Sequence, residues 1–120
     1  MKKLYILFIL VLFGVQALYA QENNKVKQRT TAQQMDQRIA DKMKVALDLD
    51  QKQWEKILKI NQDLSEQKKN AFKSSEDREK VGKELQRIED ERDKKYRTVL
   101  SEQQQELYIQ KKKFLLNNND

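Results

Sequence analysis

Histidine, cysteine and proline are all absent from the 120 residues, and glycine occurs only twice. Without cysteine there is neither a disulfide framework nor thiol chemistry. Without histidine the chain lacks the commonest metal ligand and the usual general base near neutral pH. The lack of proline and near lack of glycine remove the residues that break helices and shape tight turns. Together with 37% charged residues, this suits long surface helices and argues against a β-rich fold. Large apolar side chains are scarce as well: residues 21–120 hold 25 Val, Ile, Leu, Met, Phe, Trp and Tyr. That is thin for a compact monomeric core, so either the helices form a flat layer or a second chain completes it.

The same absences bear on chemistry. There is no Ser/His or Cys/His pair, no Gly-rich phosphate loop and no metal-ligand spacing. Paired carboxylates are numerous, but a chain this charged has them by chance. No enzymatic activity, cofactor or metal is expected.

What the chain has in abundance is charge of both signs. Lys and Arg number 25, Asp and Glu 19, a net +6. The acids are interleaved with the bases, which reads as solvated helix faces rather than a nucleic-acid-binding stripe. No nucleic-acid partner is expected. The one candidate for weak membrane-surface contact is Lys111, Lys112 and Lys113 beside Phe114, Leu115 and Leu116.

Residues 1–20 read as an export signal. Lys2 and Lys3 form a positive n-region, Leu4 to Val15 an apolar h-region, and Ala17-Leu18-Tyr19-Ala20 a cleavage end. The apolar run is short for a membrane span. No Cys follows, so lipid attachment is not expected. Loss of Lys2 and Lys3 lowers the net charge from +6 to +4. The expected location is outside the cytoplasm, periplasmic in a cell with two membranes. Residues 21–30 are polar and aperiodic, a disordered arm.

Four helices follow, at about 31–47, 51–72, 76–99 and 102–116. In the first, Thr31 and Gln34 offer a capping box, and Ala32, Met35, Ile39, Met43 and Ala46 share a face. The second carries Trp54, Ile57, Leu58, Leu64 and Phe72, a stripe interrupted by Asn61 and Lys68. Ser75 is the expected cap of the third. Its seam is Val81, Leu85, Ile88, Tyr96 and Val99, with Arg92 where an apolar residue should stand. A short loop, Lys73-Ser74-Ser75, makes helices two and three a long antiparallel hairpin. The fourth groups Leu107, Tyr108, Lys111, Phe114 and Leu115 near one face. Residues 117–120 read as a disordered tail.

Two capping signals stand out. In Leu49-Asp50-Gln51-Lys52-Gln53, Asp50 can accept the free N–H groups of the first turn, and the Gln53 amide can reach back to the Asp50 N–H. Leu49 and Trp54 occupy the hydrophobic-staple positions. The signal returns as Leu100-Ser101-Glu102-Gln103-Gln104, with Ser101 as cap and Gln104 as reciprocal partner. Here Gln105 takes the second staple position, so only half the staple is present.

This pair resembles the L-T-x-x-Q motif pair of the Spy/CpxP family, with Asp50 and Ser101 replacing the usual Thr by other cap-competent residues. The resemblance covers about Thr31 to Leu116. It implies an all-α, cradle-shaped helical fold completed by dimerisation. On the Spy side it implies an ATP-independent periplasmic chaperone that binds unfolded or misassembled envelope proteins. On the CpxP side it implies a stress-response regulator that binds the periplasmic domain of a sensor kinase. A structural helical protein with no client is the third reading. Histidine-based metal sensing, found in some relatives, does not carry over. Interrupted apolar stripes rimmed by cations suit weak, adaptable binding. The candidate client-contact residues are Ile57, Leu64, Lys68, Phe72, Arg78, Val81, Leu85 and Arg92.

Overall fold

A computed structural model describes residues 31–117. The expected export signal, the polar arm and residues 118–120 lie outside the described residues. Among the described residues the chain is all-helical, with no strand. The helices are α1 (Thr31–Ala46), α2 (Gln51–Ser74), α3 (Arg78–Val99) and α4 (Glu102–Leu115). None is long and apolar enough to cross a membrane.

Helix boundaries follow local chemistry, with two corrections to the sequence reading. Thr31 is already helical, so it does not cap α1. The cap of α3 is Asp77 rather than Ser75: its carboxylate accepts from the Glu79 N–H at 3.0 Å. Ser75 instead accepts the Asp77 N–H through its hydroxyl at 3.1 Å, ordering the turn ahead of the helix. The later start follows from Asp being at least as good an acceptor at this position.

α1 ends at a left-handed residue. Asp48 has φ 53°, and the Leu49 N–H closes back on the Lys44 carbonyl at 3.1 Å. This six-to-one bond is the signature of a Schellman-type stop, here made without glycine. It turns the chain so that Leu49 enters the core and Asp50 starts α2 two residues later.

Side-chain contacts place α1 beside α2, α2 beside α3, and α4 beside both α3 and α1. Asn61 on α2 bonds Asp36 on α1, Arg92 on α3 bonds Asn61, and Tyr108 on α4 bonds Asp93 on α3. Lys42 on α1 donates to the Asn117 carbonyl just past α4. The main core gathers Ala40 and Met43 from α1, Leu47 and Leu49 from the turn after it, Ile57, Tyr96 and Leu100, and Tyr108 and Leu115. Tyr96 and Tyr108 meet edge-to-face, with ring centroids 5.2 Å apart. A smaller core of Leu64, Ala71 and Ile88 lies further along α2 and α3. Burying each large apolar side chain contributes about 1.5–3 kcal/mol, so this second cluster is much the weaker.

The buried face of α2 runs Ile57, Asn61, Leu64, Ala71, spaced by fours, threes and a heptad. Phe72 lies one position off that line, about 100° round the helix, and faces solvent with 63% of its surface exposed.

Candidate functional site

The two motif sites form as capping boxes. Asp50 accepts the Gln53 N–H at 2.7 Å, and the Asp50 N–H donates to Gln53 Oε1 at 3.0 Å. Ser101 accepts the Gln104 N–H at 3.2 Å, and its own N–H donates to Gln104 Oε1 at 2.9 Å. Leu49 and Leu100 are both buried in the main core. Trp54 packs against that core half-buried and donates its indole N–H to Asp41 at 2.9 Å.

The boxes are also joined to each other. Gln53 Nε2 lies 2.8 Å from Gln104 Oε1 and donates to the Val99 carbonyl at 3.1 Å. Gln104 Nε2 donates to the Leu47 carbonyl at 3.2 Å. Each glutamine thus caps its own helix with its oxygen. With its nitrogen it satisfies a carbonyl at the end of the helix that precedes the other motif. Those terminal carbonyls have no partner within their own helices. Each box is legible in the sequence but this link is not, since nothing local to either motif reports the other. The only signal was that there are two.

The second feature is an open groove of about 540 Å³. α1 supplies Ala32, Met35, Asp36 and Ile39, and α2 supplies Ser65, Lys68, Lys69 and Phe72. Glu89 and Arg92 come from α3, and Leu116 from the end of α4.

Its floor is a buried polar network. Asn61 is fully buried and donates to the Asp36 carbonyl at 3.1 Å. Its Oδ1 accepts from the Tyr96 hydroxyl and, at 3.2 Å, from Arg92 Nη1. Arg92 Nη1 also reaches the Tyr96 oxygen at 3.0 Å, and its Nε donates to Glu89 at 3.2 Å. Lys68 pairs with Glu89 as well. Ser65 donates its hydroxyl to Asp36 at 2.5 Å. Such a network is favourable only because nearly every member finds a partner.

The carboxyls respond in opposite ways. Burial raises Asp36, more than the Ser65 bond and the nearby Arg92 and Lys68 charges lower it. Burial also pushes Glu89 upward, but the Lys68 bond and the Arg92 and Lys68 charges together leave it below the usual value. Burial drives the Tyr96 and Tyr108 hydroxyls above the usual phenol range. Both stay protonated donors at neutral pH.

The expected client-contact residues divide. Ile57 and Leu64 are wholly buried core and Arg92 is 5% exposed, so these three are not surface positions. Their partners, α1 for Ile57 and the α2/α3 cluster for Leu64, were invisible in a single-helix pattern. Lys68, Phe72 and Arg92 line the groove. Arg78 is exposed, and Val81 and Leu85 are half-buried on α3. Met35, Ile39 and Leu116, which join the groove walls, were not expected. In the basic stretch of α4, Leu115 is buried and Lys112 pairs with Asp93 at 2.6 Å. Among the described residues no cluster of three or more His, Cys, Asp or Glu side chains could hold a metal ion.

Comparison with protein-family profiles, curated proteins and solved structures finds no match to the chain.

Proposed function

We propose that the protein is a Spy/CpxP-like, exported, ATP-independent chaperone that holds unfolded or misassembled envelope proteins. The observation that carries this reading is Phe72. A large aromatic side chain stands 63% exposed at the rim of a groove walled by Met35 and Ile39, beside Lys68 and Lys69. An apolar client side chain gains by leaving water there, and the long lysines follow clients of different sequence. Binding of this kind is weak and reversible, which suits a compartment without nucleotide. The joined capping boxes support the motif reading, because they make the motif pair one structural unit. The long hairpin of α2 and α3 is proposed to pair with a second copy, covering the thin core at Leu64, Ala71 and Ile88.

The test mixes the protein with a denatured, unrelated client and follows light scattering. Suppression without nucleotide, rising with the chaperone ratio, is expected. Unchanged scattering at several-fold excess, with saturable binding to a sensor-kinase ectodomain, would replace this reading by the regulatory one.

A further inference from the structure

We propose that the groove between α1, α2 and α3 is a binding site for a fatty-acid-like ligand, a carboxylate carried on an unbranched apolar chain. This goes beyond client binding and does not rest on it.

The argument begins with Arg92. Its side chain is 5% exposed, yet it lines the groove. Nε is taken by Glu89, and Nη1 by Asn61 and Tyr96. Nη2 meets no acceptor among the described residues. The one guanidinium nitrogen without a protein partner thus belongs to a nearly buried side chain on the groove wall. A guanidinium nitrogen held so rigidly is a ready carboxylate donor.

The surroundings select the rest of the ligand. Lys69 at the rim forms no ion pair among the described residues, while Lys68 is shared with Glu89. The lining carries three cations against two carboxylates. Both carboxylates are occupied, Asp36 by Ser65 and Glu89 by Lys68 and Arg92. An added anion thus meets a surplus cation. Met35, Ile39, Phe72 and Leu116 supply the apolar walls, and a volume of about 540 Å³ is in the small-ligand range.

A peptide backbone laid along the groove fits less well; the client side chain proposed above rests at the Phe72 rim with its backbone in solvent. Apart from Ala32 near the start of α1, Phe72 in the last turn of α2 and Leu116, the lining comes from helix interiors, whose amides and carbonyls are already bonded. A peptide backbone laid there would find few partners for its own polar groups, and each one left unpaired is costly. A hydrocarbon chain needs none.

The experiment is titration calorimetry of the isolated protein with dodecanoate below its micellar range, in the absence of any client. Saturable binding to one site is expected. Dodecanol and dodecyltrimethylammonium should bind at least about tenfold more weakly. Phe72→Asp and Lys69→Glu, both at exposed positions, should each weaken dodecanoate by about tenfold or more with the melting temperature unchanged. Three results would overturn the proposal: dodecanol binding as well as dodecanoate, full affinity in both variants, or no saturable heat. An apolar tripeptide with a free carboxylate that binds as tightly as dodecanoate would overturn the acyl-chain assignment. Client aggregation is a separate readout, so failure here leaves the chaperone reading standing.

Discussion

Gln53 and Gln104 lie side by side, Nε2 to Oε1 at 2.8 Å, although they are 51 residues apart. Each completes a capping box and reaches across to the helix that precedes the other's motif. The first turns of α2 and α4 and the last turns of α1 and α3 are thereby fastened at one place. The motif glutamines are fold determinants first, and whatever surface the protein presents is held in register by them.

The two glutamines should therefore not act independently. Gln53→Ala and Gln104→Ala should each destabilise, and the double variant should show a coupling energy on the order of 0.5–3 kcal/mol. Asp50→Ala or Ser101→Ala, which removes only a cap, should cost about 1 kcal/mol. Urea unfolding measures all of these. Strict additivity of the two glutamine variants would mean the capped helices are separate.

Asp48 provides a test of the α1 stop. A non-glycine residue at φ 53° carries a left-handed penalty of about 1–2 kcal/mol. Asp48→Gly should raise the melting temperature, and the β-branched Asp48→Val should lower it. A loss of stability in Asp48→Gly would mean that the aspartate side chain contributes more than the backbone conformation costs.

The polar network predicts opposite pH behaviour for its two carboxyls. Asp36 is raised on folding, so its contribution to stability is present below the unfolded value and lost as pH rises through the folded one. Glu89 is lowered, so its contribution is present above the unfolded value and lost as pH falls through the folded one. At neutral pH Asp36→Asn should be at least as stable as wild type and Glu89→Gln less stable. Both differences should shrink in acid. Urea midpoints at neutral and acid pH decide it, and a shared sign at neutral pH would contradict the account.

Core and rim can be told apart by stability alone. Arg92→Ala removes a buried partner of Asn61, Tyr96 and Glu89 and should cost about 3–5 kcal/mol. Phe72→Ala removes an exposed ring and should stay within about 0.5 kcal/mol. Equal costs would place Phe72 in a core.

What the sequence made legible was local. The capping boxes at Asp50 and Ser101 depend on residues three apart, and helix existence on uninterrupted period and missing proline. What it hid was pairing between helices. Asn61 and Arg92 looked like interruptions of two apolar stripes because each was read on one helix. Together they meet at 3.2 Å and become a buried floor. Phe72 looked like part of the stripe because a step of eight from Leu64 is compatible with a helical face. Packing chose the step of seven, to Ala71, and left Phe72 outside. The groove draws its lining from three helices and the end of a fourth, which no motif in any one of them reports.

The central claim is that this exposed rim binds unfolded protein. Its most direct measurement compares wild type with Phe72→Asp in light scattering of a denatured client without nucleotide, at matched melting temperatures. The account predicts strong suppression by wild type and little by the variant. Equal suppression by both would leave a chaperone whose site lies elsewhere. No suppression by wild type would contradict the function itself.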